Sequence, residues 1–154
     1  PDLILTDSIG SSESGFNGIK MVAKGDTAMS AGGPTVTAGP NVVILDEDRK
    51  LIPPESDEVG HIGRGGNIPL GYYKDPEKTA EAFDADGWFH TGDLGVVDAD
   101  GRVVYQGRLK DMLKVGGENV AAIEIESYLA THPAVSIAAV VGVHDPNYME
   151  VPAA

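Results

Sequence analysis

Short apolar or alternating runs recur along the first two thirds of the chain, separated by glycine, proline and aspartate. Short apolar runs between turn residues are typical of strands, and an alternation with a period of two is typical of a half-buried one. These runs predict strands over residues 3–5, 42–46, 59–64, 94–98 and 102–106, of which residues 59–64 alternate. A short helix is predicted over residues 75–83, with Asp75 as its cap and Pro76 in its first turn.

Two short motifs flank the most regular part of this pattern. The first is Trp-Phe-His-Thr-Gly-Asp at residues 88–93, and the second is Gly-Arg-Leu-Lys-Asp at residues 107–111. Both are interpreted as turns that present a charge. The stretch between them predicts one hairpin about residues 99–101, so Asp93 and Arg108 are expected to lie close together. A carboxylate beside a guanidinium group is suited to binding a ribose diol, which indicates a nucleotide enzyme.

The pattern changes after Lys110. Residues 112–115 and 119–120 are predicted to pair across Gly116 and Gly117, followed by a helix over residues 122–131 and a strand over residues 135–143. The fold class is therefore α+β and mainly β, with an antiparallel, barrel-like β part at residues 1–109. Residues 110–154 are predicted to form a hinge and the start of a small α+β domain that is too short to bury much core alone.

Two segments are predicted to lack regular structure, a hydroxyl-rich loop at residues 7–15 and an irregular stretch at residues 24–40. Hydroxyls and free amides in the first loop are suited to phosphate oxygens, and Glu13 is a candidate ligand for Mg²⁺. An ordinary serine-rich loop is the alternative. Asp93 could likewise be a plain turn former, residues 108–111 a plain linker, and Gly116 and Gly117 a simple hairpin turn. His90 is interpreted as a packing or surface residue.

Composition narrows the classes of function. The formal net charge of −13 argues against nucleic-acid binding, which needs clustered cations. The three cations after residue 107, Arg108, Lys110 and Lys114, are nevertheless close together and form either a solvated turn or a functional cationic edge. The chain has no cysteine, no signal peptide is visible, and no apolar run is long enough to span a bilayer. A cytoplasmic location is expected.

The ordered set of motifs resembles the AMP-forming acyl-CoA synthetases, an adenylate-forming superfamily that also includes luciferases and peptide-synthetase adenylation domains. The resemblance covers nearly the whole chain. It rests on the motifs at residues 9–13, 71–73, 88–93, 107–111, 116–120 and 124–126, together with Pro76 and Thr79. It implies a two-step reaction, in which a carboxylate and ATP form an acyl-adenylate and the CoA thiol then displaces AMP. The small domain is expected to rotate between the two steps.

The resemblance also implies roles for individual residues. By this resemblance, the phosphates are contacted by Gly10, Ser11 and Ser12, and Mg²⁺ is bound by Glu13. The ribose is bound by Asp93 and Arg108. Lys110 is the hinge, while Lys114 and the Gly116–Gly117 turn act in thioester formation beside the path of CoA. The implied cofactors and partners are ATP or AMP, Mg²⁺, coenzyme A and a small carboxylic acid.

The chain departs from the family pattern at three places. Ile9 stands where an aromatic residue usually stacks on adenine, Ser12 replaces a threonine, and Ala121 and Ala122 replace a segment that often holds a proline. The family's upstream phosphate loop and its C-terminal lysine have no counterpart in these 154 residues. The chain is therefore expected to be a fragment lacking both ends and inactive alone, and to self-associate through apolar surface.

Other functions stay open at this point. The acceptor of the acyl group could be a carrier protein or oxygen instead of CoA. A β-rich interaction module without chemistry is the alternative outside enzymes. The acyl chain is undetermined, although residues 64–73 resemble fatty-acid or sterol-side-chain ligases more than aryl ligases.

Overall fold

The fold was described from a computed structural model, which places residues 4–23, 35–54, 56 and 58–154. Leu3, in the first predicted strand, and residues 24–34 of the predicted irregular stretch lie outside this description. In the described part, eleven strands form two antiparallel sheets. The mainly β, α+β class is thus confirmed.

The larger sheet has seven strands in the order β1-β2-β3-β7-β6-β5-β4. Its strands are β1 (Ile4–Ser11), β2 (Gly15–Ala23), β3 (Thr35–Ala38), β4 (Val42–Leu45), β5 (Gly60–Arg64), β6 (Phe89–Val97) and β7 (Arg102–Arg108). Helix α1 (Pro76–Ala82) lies between β5 and β6 in the chain. The sheet is open within the described residues, because β1 and β4 form its two edges without pairing to each other.

The core of this sheet is one cluster of aliphatic side chains. It comprises Val36, Ile44, Ile52, Ile62 and Val103, all at most 8% exposed. These residues come from four different strands and the loop after β4, so burial joins distant parts of the chain. Each buried side chain of this type stabilises the fold by about 1.5–3 kcal/mol relative to an exposed one.

The predicted hairpin is confirmed as β6–β7. Asp98 Oδ1 accepts hydrogen bonds from the backbone N–H groups of Asp100 (3.0 Å) and Arg102 (2.9 Å). Gly101 has a φ of 74°, which the turn requires and which glycine adopts without steric cost. The turn therefore follows from local chemistry, and it sets the register in which Asp93 faces Arg108.

The smaller sheet has four strands in the order β10-β11-β8-β9. A 3₁₀ helix (Leu109–Asp111) connects the two sheets, and β8 (Met112–Val115), β9 (Glu118–Ala121), α2 (Ala122–Leu129), β10 (Val141–Asp145) and β11 (Met149–Ala153) follow. The predicted pairing across Gly116 and Gly117 is confirmed. In this unit only Leu113, Ala121 and Val140 are buried among the described apolar residues, in keeping with its predicted small core.

Three sequence predictions were wrong in detail. The expected loop at residues 7–15 is mostly strand, because β1 extends to Ser11 and pairs with β2 around a three-residue turn. The expected irregular stretch includes strand β3, which gains its ladder from β7. Residues 135–140 are not part of a strand, since Val140 N–H donates to Glu126 Oε1 of α2 (2.8 Å) and holds this segment against the helix.

Candidate nucleotide site

Asp93 and Arg108 face each other on neighbouring strands of the larger sheet. Arg108 Nε donates to Asp93 Oδ1 at 2.9 Å, with side-chain exposures of 41% and 10%. The expectation that these residues lie together is confirmed. Asp93 lies within β6 and Arg108 at the end of β7, so the interpretation of the first motif as a turn was wrong, whereas the second motif continues into the 3₁₀ helix Leu109–Asp111.

Backbone irregularities at glycine residues set the orientation of the Asp93 and Arg108 side chains. Gly92 has a φ of 78° and Gly107 a φ of 119°, and the β6–β7 register shifts between Leu94 and Gly95. Thr91 Oγ1 donates to the Ile62 carbonyl of β5 (3.0 Å) and accepts from Asp93 N–H (3.2 Å). The strand is thereby fixed immediately before the carboxylate, with Asp93 Oδ2 left outside the ion pair.

The electrostatics of the site favour a charged Arg108 and a neutral Tyr105. The hydrogen bond from Arg108 to Asp93, reinforced by the charge of Asp93, raises the pKa of Arg108 above its ordinary value. Burial raises the pKa of the nearby Tyr105 hydroxyl, and the charge of Asp93 raises it further. A neutral phenol, a carboxylate and a guanidinium group therefore meet here, and such a set can both accept from and donate to sugar hydroxyls.

Residues 12–14 of the hydroxyl-rich segment form the β1–β2 turn. Ser14 Oγ lies 3.0 Å from Ser11 Oγ and accepts from Ser11 N–H (3.1 Å), and Asn17 Nδ2 donates to the same Ser14 oxygen (3.0 Å). Ser12 is exposed at the tip, and Gly10 packs so closely that an added Cβ would lie 2.3 Å from the Gly15 carbonyl oxygen. The turn is therefore rigid and presents a hydroxyl outward.

Glu13 projects from this turn beside Tyr72. Tyr72 Oη donates to Glu13 Oε1 at 3.1 Å. A hydrogen bond from its own backbone, then those from Tyr72 and Ser11, lower the pKa of Glu13 below its usual value. A group of three or more His, Asp or Glu able to hold a metal was not found among the described residues. Mg²⁺ usually takes one or two carboxylates plus substrate phosphates, so the ionised Glu13 fits as one such ligand.

The candidate thioester residues lie on the smaller sheet. Lys114 Nζ donates to Asn119 Oδ1 across the β8–β9 hairpin, and Lys114 N–H donates to Glu150 Oε2 (2.7 Å). Gly116 and Gly117 form the turn with φ of 60° and 93°. An added Cβ at Gly117 would meet nothing within 4 Å, so this turn exposes bare backbone.

Lys110 lies in the 3₁₀ helix that joins the two sheets. It lines a cavity of about 510 Å³ between them, together with Arg108, Ile123 of α2 and Glu150 of β11. The cationic edge predicted from the sequence is thus split. Arg108 belongs to the larger sheet, Lys114 to the smaller sheet, and Lys110 to the connection.

Two further polar residues shape the site without having been singled out from the sequence. Arg64 at the end of β5 donates through Nε to the Ser14 carbonyl (3.3 Å) and through Nη1 to the Pro40 carbonyl, which fastens the β1–β2 turn to the sheet. Tyr72 belongs to the Gly-Tyr-Tyr motif at residues 71–73, to which the sequence assigns no individual role. His90 is a packing residue, as expected, and its Nε2 lies 2.9 Å from Asp84 Oδ2.

Comparison with known proteins identifies the class of protein to which this chain belongs as the adenylate-forming enzymes. The AMP-binding enzyme C-terminal domain family matches residues 124–154. The chain is 46% identical over 151 residues, 96% of its length, to a medium/long-chain-fatty-acid–CoA/3-oxocholest-4-en-26-oate–CoA ligase of Mycolicibacterium smegmatis. Within that class, the chain belongs to the AMP-forming acyl-CoA synthetase family. It spans 27% of the length of the M. smegmatis relative.

Solved structures agree with this assignment. ATP-bound MatB from Rhodopseudomonas palustris is 34% identical, with a TM-score of 0.78 over 96% of this chain and 29% of that chain. The amide bond synthetase McbA from Marinactinospora thermotolerans is 32% identical, with a TM-score of 0.75 over 96% of this chain and 30% of that chain. In the described part of the chain, no helix is long and apolar enough to cross a membrane.

Proposed function

We propose that this chain is the nucleotide-clamping and hinge segment of an ATP-dependent acyl-CoA ligase, which converts a carboxylic acid to an acyl-adenylate and then to a CoA thioester. The observation that carries the proposal is the 2.9 Å Asp93–Arg108 pair on adjacent strands. The free Asp93 Oδ2 accepts from the ribose hydroxyls of ATP or AMP, while the guanidinium group donates to them.

In this proposal residues 1–109 belong to the large ATP- and acyl-binding domain, and residues 110–154 form the hinge and part of the small domain. Gly10, Ser11 and Ser12 contact phosphate, and Glu13 binds Mg²⁺. Rotation about Lys110 then brings Lys114 and the Gly116–Gly117 turn to the thioester step. The exposed backbone at Gly117 supports this role, because a narrow pantetheine chain can pass where no side chain stands.

A segment exchange tests the whole proposal. The corresponding residues of the M. smegmatis relative are replaced by this chain, and acyl-CoA formation is measured with ATP, CoA and either a medium-chain fatty acid or 3-oxocholest-4-en-26-oate. We expect the chimera to form acyl-CoA and the same chimera with Asp93→Asn to lose at least about 90% of that activity. If the chimera with Asp93→Asn folds correctly and forms acyl-CoA as fast as the chimera without it, the proposed role of Asp93 in ribose binding is contradicted.

The hinge is tested in the same chimera with Lys110→Pro. Proline fixes φ near −65° and removes a backbone donor, so it restricts rotation at this position. We expect acyl-adenylate to form at a nearly normal rate while thioester formation falls. Equal loss of both half-reactions would contradict a hinge at Lys110, and Lys114→Ala provides the comparison for a residue acting in the second step alone.

The acceptor and the acid are the finer parts of the proposal. The higher identity to a fatty-acid and sterol-side-chain ligase than to an amide synthetase supports CoA and a fatty or sterol-derived acid. Offering the chimera CoA, an amine and a phosphopantetheinylated carrier protein in parallel separates these acceptors. Because ATP and CoA are the co-substrates, we expect the reaction in the cytoplasm.

A polypeptide of these 154 residues alone is proposed to lack ligase activity, since it covers only 27% of the relative. Exchange of labelled pyrophosphate into ATP that depends on a carboxylic acid would contradict this.

We also propose that this 154-residue polypeptide self-associates through β1 and β2, where Ile4, Leu5 and Met21 are 61%, 59% and 67% exposed. A concentration-independent monomer in sedimentation would contradict self-association.

A further inference from the structure

A hydrogen bond joins two parts of the chain that are 59 residues apart. Tyr72, in the segment between β5 and α1, donates its hydroxyl to Glu13 Oε1 in the β1–β2 turn at 3.1 Å. Glu13 Oε2 takes no part in this bond. Tyr72 lies in the Gly-Tyr-Tyr motif, to which the proposed function assigns no role.

The backbone around Tyr72 is held by the start of α1. Tyr72 N–H donates to Thr79 Oγ1 (2.9 Å), and Thr79 Oγ1 donates to the Asp75 carbonyl (2.7 Å). Gly71 has a φ of 146°, and an added Cβ there would lie 2.6 Å from Thr79 Cγ2. Gly71 and Thr79 are therefore matched, and together they fix the point from which the Tyr72 ring projects.

The Tyr72 ring is held from two further directions. Lys78 Nζ of α1 lies 4.1 Å from the ring centroid, a cation–π distance. The Phe83 ring packs edge-on at 6.5 Å between centroids. Helix α1 thus fixes the ring on one side and leaves the hydroxyl directed at Glu13.

We propose that Tyr72 is a positioning residue for the divalent cation of the nucleotide, holding Glu13 Oε1 and so fixing the orientation of the carboxylate that meets the metal. This inference rests on the proposed role of Glu13 as a Mg²⁺ ligand. Partners that hydrogen-bond a ligating carboxylate orient it, and their loss typically costs about 10- to 100-fold in metal affinity. Gly71, Lys78 and Thr79 act through Tyr72 as the support of this contact.

The test measures binding of the Mn²⁺–ATP complex to the chain, with Mn²⁺ as a spectroscopic substitute for Mg²⁺, by the increase in the water proton relaxation rate over that of Mn²⁺–ATP without protein. Tyr72→Phe removes only the hydroxyl and keeps the ring for Lys78 and Phe83. Tyr73→Phe makes the same chemical change at a neighbouring ring that is 88% exposed, and is the matched control. Glu13→Gln is the reference for loss of the ligand itself.

We expect Tyr72→Phe to weaken Mn²⁺ binding about tenfold, Glu13→Gln to weaken it at least as much, and Tyr73→Phe to leave it unchanged. Binding of AMP without metal should be the same in all four proteins, which separates positioning of the cation from general damage to the fold. If Glu13→Gln weakens Mn²⁺ binding but Tyr72→Phe does not, the role of Tyr72 is refuted and that of Glu13 stands. If the unmodified chain shows no specific Mn²⁺–ATP binding, or if Glu13→Gln binds it as tightly as the unmodified chain, the metal role of Glu13 fails and this inference fails with it.

Discussion

Asp93 and Arg108 are fifteen positions apart in the chain and directly opposite in the β6–β7 ladder, joined by a 2.9 Å hydrogen bond between Asp93 Oδ1 and Arg108 Nε. A second ion pair, Asp98–Arg102 at 2.8 Å, lies at the tip of the same hairpin. The two pairs have the same chemistry, but only the first belongs to the proposed ribose site. They provide a matched comparison within one structural element.

Replacement of Asp93 by asparagine is expected to weaken AMP binding to the chain at least about tenfold. A hydrogen bond to a charged group contributes about 1.5–3 kcal/mol, which corresponds to tenfold or more in affinity. The change keeps the shape of the side chain and removes its charge. The measurement is a titration with AMP followed by NMR. Asp98→Asn should leave AMP affinity unchanged, and an equal loss in both variants would show that hairpin stability, not ribose contact, is responsible.

The unfolding free energy is expected to fall as the pH drops below about 6.5, because of His61. Burial, and after it the electrostatic interaction with His90, lowers the pKa of His61 below its ordinary value of 6.5. The unfolded chain therefore takes up a proton at a higher pH than the folded chain, and stability present above pH 6.5 is lost as pH falls through the folded pKa. Urea unfolding of the chain and of His61→Gln between pH 5 and 7.5 measures this.

The His61→Gln variant should show a flatter pH dependence over this range. His144→Gln removes an exposed histidine on β10 and serves as the control. A His61→Gln curve parallel to that of the unmodified chain would show that burial of His61 is not linked to folding.

Gly10→Ala is expected to destabilise the β1–β2 hairpin by about 1–3 kcal/mol and to weaken ATP binding. An added Cβ would lie 2.3 Å from the Gly15 carbonyl oxygen, so the backbone of the β1–β2 turn, to which phosphate contact is assigned in the proposal, must shift. Gly87→Ala is the comparison, since it has a φ of 86° and no atom within 4 Å of an added Cβ. It should cost about 1–2 kcal/mol through its backbone conformation and leave ATP affinity intact. Normal ATP affinity in Gly10→Ala would argue against a phosphate role for this turn.

Ile44→Ala is expected to destabilise the chain by about 2–5 kcal/mol, because Ile44 is 2% exposed and lies in the aliphatic cluster of the larger sheet. Leu51→Ala removes a side chain that is 61% exposed and should cost less than about 1 kcal/mol. Chemical denaturation of both variants checks the difference. Similar costs would show that the seven-stranded sheet is not centred on this cluster.

Several features could be predicted because they depend on neighbours in sequence. The β6–β7 hairpin follows from Asp98 and Gly101, helix α1 begins at the Asp75 cap, whose Oδ1 accepts from Lys78 N–H (2.9 Å), and the β8–β9 turn follows from its two glycines. Each is decided by hydrogen bonds and φ angles within a few residues. The proximity of Asp93 and Arg108 was predictable for the same reason, since a hairpin returns its ends to one edge.

Features that depend on distant partners could not be read from local patterns. The strand β3 forms because β7 pairs with it, and residues 135–140 are held by Glu126 instead of joining a sheet. The contact between Tyr72 and Glu13 spans 59 residues and four intervening strands. The sequence by itself thus determined the β6–β7 and β8–β9 hairpins, the Asp75 cap and the proximity of Asp93 and Arg108, all of which depend on residues that are close in the chain. Only the tertiary structure decided which side chains hold the Glu13 turn in place, because long-range burial and strand pairing, which leave no local periodicity, bring Arg64 and Tyr72 to it.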